Sequence, residues 1–233
     1  MANFMSAEGG SASGGKKTIT IIIIAILALG LGYYLFKISG SQQSGSDSFD
    51  LSNVKPTDQL RPLQPNDHVL GNLEAKNLAV AFEDIQCPAC KNFEPVLKAL
   101  PGALKDTKVV FRHYPLTTIH KNAAPAAYAA EAAGAQGKFW EWTSLAYERQ
   151  EKWSSQGNPI ETFMEIARDA GVPDLDKFRN DTTNKTYKEK VQADVREATA
   201  LKVQGTPTLY FNGVLLEVNG IEGIKLQAEK LYK

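Results

Sequence analysis

Apolar and polar positions divide the chain into three stretches of different character. Residues 18–36, TITIIIIAILALGLGYYLF, are an apolar run without a charge. At about 1.5 Å per residue such a run makes roughly 28 Å of helix, enough to cross the apolar core of a bilayer. Ser39-Gly40-Ser41 could serve as a leader-cleavage site, but the run exceeds the ~7–15 apolar residues of a cleaved leader. Tyr33 and Tyr34 also stand near its far end, where interfacial aromatic side chains belong. The run is therefore read as an uncleaved transmembrane anchor. Lys16 and Lys17 precede it and Lys37 follows it, a bias that leaves the N-terminus in the cytoplasm and the bulk of the chain outside. Residues 1–17 then form a short disordered cytoplasmic tail, 37–66 a flexible linker and lead-in, and 67–233 the folded domain. Residues 51–76, polar and broken by Pro56, Pro62 and Pro65, are expected to wrap the domain irregularly.

Within the domain the period of the pattern changes several times. Residues 77–84 (NLAVAFED) alternate and favour a strand, and TKVVFRHY at 107–114 favours a second. Between them a helix is predicted from Pro88, a residue suited to the first helical position, through Phe93, Val96 and Leu97 to about Leu100. From about 119 to 203 the spacing is helical throughout. The alanine-rich 122–135 is expected to be interrupted at Pro125, and 138–150 gathers Phe139, Trp142, Leu145 and Ala146 on one face. Asn158-Pro159-Ile160-Glu161 reads as N-cap, first-turn proline and capping-box acid, and Gly171 as the stop. A further helix is predicted over 187–201. TPTLYF and VLLEV then flank Asn212-Gly213, a strong hairpin signal, and a last helix covers about 221–231. The order predicts an α/β domain, a mixed sheet with helices on its faces and a helical insertion in the middle.

Charge narrows the function. The chain has 26 basic and 26 acidic residues, so no strongly basic surface offers itself to nucleic acid. Its two cysteines, Cys87 and Cys90, lie one helical turn apart in DIQCPACKNF. Three uses compete. A tetrahedral metal site needs two more ligands, and only His68, His113 and His120 remain, without a second pair at ligand spacing. A structural disulfide here would close so short a loop that it removes little unfolded-state entropy. A redox pair explains the position: Cys87 meets the free N–H groups and positive dipole end of the predicted helix, which favour a thiolate, and Cys90 stands where it resolves a mixed disulfide. Two thiols and no others also suit an oxidising compartment.

Four segments, DHVLGN…VAFEDIQCPACKNFEPVL, FRHYPL, AAYAAEAAGAQGKFWEW and VQGTPTLYFNG, together resemble the DsbA-like thiol–disulfide oxidoreductases over about 67–233. The resemblance implies a thioredoxin-like fold with a helical insertion. It also implies that Pro207 is a cis-proline facing the dithiol and that Thr206 offers backbone hydrogen bonds to an extended substrate. Such proteins usually carry a buried acid six residues before the first cysteine, and here that residue is Ala81. Glu83 points to the same face by strand alternation. It is either a substitute proton shuttle or, with Asp84, a solvated strand end. His113 and His120 read as strand-end and loop residues more readily than as rim of the site, and Trp140, Trp142 and Trp153 as packing aromatics.

The sequence thus points to a membrane-anchored extracytoplasmic oxidoreductase. Cys87 and Cys90 are its catalytic pair, Thr206 and Pro207 position the substrate, and no cofactor or metal is expected. Unfolded exported proteins are the expected substrates. A membrane quinone-linked thiol oxidase, or a reductant donor, is the partner the resemblance implies. A tethered reductase or isomerase and a peptide-binding chaperone with an incidental dithiol are the alternatives. A copper carrier is weaker still, since no third soft ligand is visible.

Overall fold

The structure, a computed structural model, describes residues 55–232. The tail, the 18–36 anchor and the first part of the linker lie outside the described residues. Among the described residues no helix is long and apolar enough to cross a membrane.

The elements follow in the order β1 (His68–Leu70), β2 (Asn77–Glu83), α1 (Pro88–Ala103), β3 (Thr107–His113), α2 (Ala123–Gly134), α3 (Phe139–Glu148) and α4 (Gln150–Ser154). The chain continues through α5 (Ile160–Asp169), α6 (Leu175–Asn184), α7 (Lys188–Ala200), β4 (Thr208–Phe211), β5 (Val214–Leu216) and α8 (Ile221–Ala228), with a short 3₁₀ turn at Glu229–Leu231. The strands form one mixed sheet in the order β1-β3-β2-β4-β5. β2 and β3 run parallel, and the other pairs are antiparallel. This is the predicted α/β arrangement, with α2 to α7 as the insertion.

Alternation along β2 and β3 divides the interior. Ala79, Ala81, Val109 and Phe111 face the main core with Phe93 and Leu97 of α1, Trp142 of α3 and Phe163 of α5. Val80 and Phe82 face a smaller cluster with Ala198 and Tyr210. Because Glu83 continues the Ala79–Ala81 face, its carboxylate is carried into the larger core.

Four local expectations need correction. The lead-in contains a strand, β1, whose His68 pairs with Phe111 and Leu70 with Val109. Nor is its end loose. Thr57 N donates to Gly213 O at 2.8 Å, and the Arg61 guanidinium lies 2.5 Å from Asp194 Oδ1. Gly213 has φ +85°, and a Cβ there would stand 2.9 Å from Thr57 O, so the hairpin turn also accommodates the lead-in. Pro125 does not interrupt α2, since it is the third residue of that helix, where the N–H has no intrahelical partner to lose. α1 runs through Pro101 to Ala103, held by Leu104 N donating to Leu100 O at 2.9 Å. Finally, Pro159 rather than Asn158 is the N-cap of α5. Asn158 Oδ1 accepts from Ile160 N at 3.1 Å, while the expected capping-box acid Glu161 reaches Arg179 instead.

The far side of β3 carries a buried cluster of charges. Arg112, fully buried, meets Asp67 of the lead-in and lies 3.3 Å from Glu197 and 3.8 Å from Asp194 of α7. Lys190 approaches Asp194 at 3.7 Å and Glu131 of α2 at 2.7 Å, and His68 and His113 both bond the same Glu131 carboxylate. Removing one member of such a group strands the others in low dielectric. Arg112→Ala is therefore expected to cost about 3–5 kcal/mol, read as a lowered urea midpoint. Arg179→Ala, which breaks only the exposed pair with Glu161, is expected to leave the midpoint where it is. Equal shifts for the two variants would mean that the cluster contributes nothing beyond a surface ion pair.

Candidate active site

Cys87 and Cys90 sit where β2 hands over to α1. Cys87 is the N-cap residue, in extended conformation with φ −75° and ψ 124°, and Pro88 opens the helix. Its N–H donates to Asp84 O at 2.9 Å, and its carbonyl accepts from Lys91 N at 3.1 Å. Both thiols are free, Cys87 7% exposed and Cys90 completely buried.

The two sulfurs are driven in opposite directions. The Cys90 thiol, the Thr206 hydroxyl and the N–H groups of Cys90 and Ala89 hydrogen-bond the Cys87 sulfur, and against its partial burial they bring its pKa down to about 5. As a thiol, Cys87 donates to Thr206 O at 3.5 Å. The Thr206 hydroxyl is buried and has no hydrogen-bond partner among the described residues, which leaves its proton available to a Cys87 thiolate. Cys90 is raised by burial, by its hydrogen bond to the Cys87 sulfur and by Glu83, so that it stays protonated. The peptide bond between Thr206 and Pro207 is cis.

Glu83 is 1% exposed and Asp84 fully buried, which corrects the solvated strand-end reading. Burial first, and then the neighbouring Cys87 charge, push Glu83 up to about 8, and its carboxyl lies beside the Cys90 thiol. Tyr147 of α3 donates its hydroxyl to Glu83 Oε2 at 3.4 Å. Burial above all holds the Tyr147 phenol well above its ordinary value, so it remains a donor. A neutral carboxyl therefore stands next to the sulfur that must gain or lose a proton.

The helical insertion fixes the loop that carries this pair. Gln150 Nε2 donates to Ile85 O at 2.8 Å and to Cys87 O at 3.1 Å. Gln86 accepts from Asn122 N at 2.7 Å and donates to Ser154 O at 3.0 Å. Asp84 accepts from Gln86 N, Leu116 N and His120 Nδ1, the last at 2.7 Å. The structure brings Cys87, Cys90, Thr206, Pro207 and Glu83 to one end of the sheet. Tyr147, Asp84, Gln86, Gln150 and His120 belong there too, and sequence reasoning did not assign them. The one available signal was polar residues, Thr143, Tyr147 and Gln150, on a helical stripe that is otherwise apolar. His113 lies with Glu131 in the charge cluster, and Trp142 and Trp153 are fully buried core residues. Two clefts flank the dithiol. One, about 410 Å³, is largely apolar, with Phe93, Val96, Pro207 and Val218; the other, about 590 Å³, is polar, with Gln86, Lys91, His120 and Glu151.

Comparison with known proteins gives this geometry a setting. A family model described as Thioredoxin matches residues 63–227. The chain is similar to "Na(+)/H(+) antiporter NhaA 1" of Salinispora arenicola, 36% identical over 157 residues, which are 67% of this chain and 23% of the relative. It thus spans less than a quarter of that relative, and the antiport in the name is a property of the longer protein. Among solved structures it resembles a thioredoxin-like oxidoreductase from Silicibacter pomeroyi, with TM-score 0.59 and 25% identity over 72% of this chain and 93% of the other. It shares its fold with the thiol-disulfide exchange protein alpha-DsbA2 from Wolbachia pipientis, with TM-score 0.61 and 20% identity over 72% and 88% of the two chains.

The opposed shifts make a prediction for the reduced protein. The Cys87 contribution to stability is complete above the unfolded thiol's pKa, near ~8.5, and is lost as the pH falls through about 5. The Glu83 contribution is complete below the unfolded carboxyl's pKa, near ~4.3, and is lost as the pH rises through about 8. Between about 5 and 8 the two slopes oppose each other. Glu83→Gln leaves only the first, so reduced-state stability should climb by about 1.4 kcal/mol per pH unit relative to the parent. Urea titrations at three pH values across that window read it directly, and parallel profiles for parent and variant would contradict the assignment.

Proposed function

The chain belongs to the thioredoxin family as a thiol–disulfide oxidoreductase, and we propose that it works as an extracytoplasmic oxidase, donating a Cys87–Cys90 disulfide to exported proteins. The observation that carries this reading is the opposite displacement of the two thiols. A pair whose N-terminal sulfur rests as a thiolate gains stability on reduction, so it gives its disulfide away.

The steps follow from the geometry. A client thiolate attacks Cys87 Sγ of the oxidised pair, forming a mixed disulfide as the S–S bond to Cys90 breaks. The leaving Cys90 sulfur takes a proton from Glu83, which is neutral near pH 7 and lies beside it. A second client thiolate then attacks the client sulfur of the mixed disulfide. Cys87 departs as a thiolate, a good leaving group because its pKa is about 5. The client has lost two electrons, and the protein holds them as Cys87 thiolate and Cys90 thiol. Thr206 and cis-Pro207 stand opposite Cys87, where an extended client adds as a strand.

Residues 18–36 supply the membrane anchor in this reading, with the N-terminus cytoplasmic and the dithiol outside, on a tether whose average reach is ~20 Å. A quinone-linked thiol oxidase in the same membrane would recharge the pair. The charge balance of the sequence and the apolar wall beside Pro207 fit clients recognised as extended chain rather than by charge.

The reduction potential of the full chain in glutathione buffers tests the direction. Cys87 at about 5 falls between the ~7 of thioredoxin and the ~3.5 of the strongest oxidants in this fold. The potential should therefore lie between about −270 and −120 mV, and near −190 mV. A value at or below about −270 mV would make the dithiol a reductase.

A further inference from the structure

Resting on the thiol-exchange reading, we propose that the Asp84–His120 pair is a second acid–base unit of this site. In it His120 Nε2 takes the proton of the incoming client thiol. His120 follows the exposed Ile119 in the loop after β3, and its Nδ1 lies 2.7 Å from Asp84 Oδ2. The Asp84 carboxylate is fully buried and already accepts from Leu116 N at 2.9 Å and Gln86 N at 2.8 Å. An acceptor-only group so placed fixes the ring with its proton on Nδ1, leaving Nε2 as the basic nitrogen.

His120 lines the polar cleft whose other walls include Gln86 and Pro88, the residues on either side of Cys87. The amide groups of Gln86 and Gln150 are committed to the protein, which leaves the imidazole as the group of that cleft able to take a proton from an incoming thiol. The other charged groups lining it are Lys91 and Glu151, paired with each other at 2.9 Å. Lys121, next in sequence, is turned away to Ser155 O at 2.8 Å.

The chemistry requires such a group. An ordinary protein thiol of pKa ~8.5 is only about 3% thiolate at pH 7, and the thiolate alone attacks a disulfide. In the proposed step the client S–H proton moves to His120 Nε2, the client sulfur bonds Cys87 Sγ, and the S–S bond breaks. Cys90 Sγ receives the electron pair and then the proton of Glu83. His120, in the polar cleft, serves the attacking sulfur, and Glu83, beside Cys90, the leaving one.

His120→Asn tests this, because the Asn amide can still donate to Asp84 while the base is lost. Single-turnover reduction of the oxidised full chain is followed with two thiols. One is a cysteine peptide, and the other a nitro-substituted aromatic thiol ionised throughout the pH range. The variant should react roughly tenfold more slowly with the peptide at pH 7, below a ceiling of about 30-fold set by the thiolate fraction. Its rate with the aromatic thiol should be unchanged. In the parent, the peptide rate should rise with pH by clearly less than the tenfold per unit that the thiolate fraction alone would give below ~8.5, and in the variant it should rise by about that full amount. The parent profile needs no substitution and stands if the variant folds poorly. Equal slowing with both thiols would make the pair a structural clasp, and no slowing with either would also overturn the proposal. A parent that exchanges with neither thiol would instead overturn the oxidoreductase reading itself.

Discussion

One negative charge at the end of the central strand governs the arrangement around it. Cys87, Cys90 and Glu83 crowd into a region from which water is largely excluded, and a second charge there would repel the first in low dielectric. The Cys90 thiol, the Thr206 hydroxyl and N–H donors of the first turn of α1 all favour charge on the Cys87 sulfur, so the charge settles there. The neutrality of Cys90, Glu83 and Tyr147 then follows. Their protonated states follow first from their own burial, and the charge on Cys87 reinforces them. This coupling makes the carboxyl a ready proton donor when Cys90 leaves.

Holding that charge in place is the task of the helical insertion. Residues 84–87 have no regular secondary structure, and such backbone needs partners if it is to keep one geometry. α4 provides them through Gln150, whose amide reaches both Ile85 and Cys87 carbonyls. Asn122, at the start of α2, closes the other side by donating to the carbonyls of Trp153, Ser154 and Gln156. Beside the Asp84–His120 pair, the insertion and the dithiol loop are thus joined by amide side chains, which do not change charge as the site titrates.

What the sequence made legible is local. Cys87, Pro88, the strand before them and the Asn212-Gly213 turn are set by neighbouring residues, and periodicity or turn chemistry was enough to place them. Strand alternation even gave the direction of Glu83. Its burial could not be read, because the residue that covers it, Tyr147, lies 64 positions away on a helix. The charge cluster fails for the same reason: nothing around Arg112 indicates Asp67, 45 positions earlier. β1 was hidden because its three residues, His68–Leu70, sit in a polar, proline-broken segment and form a strand only by pairing with β3. Pro125 misled differently. A proline reads as a break until the helix start is known, and here that start is only two residues earlier.

The manner in which Cys87 is stabilised also bears on its chemistry. The groups that lower its pKa most are a thiol, a hydroxyl and two backbone N–H groups, and no cation is among them. The dipeptide between the cysteines is Pro88-Ala89, which offers no side-chain charge. Short-range donors fixed by the fold are barely screened by salt, whereas an exposed cation's influence fades beyond the Debye length, ~8 Å at physiological ionic strength. A thiolate held in this way keeps its reactivity when the ionic strength changes. Its stabilisation is moderate, because hydrogen bonds from neutral donors stabilise an anion less than charged ones do.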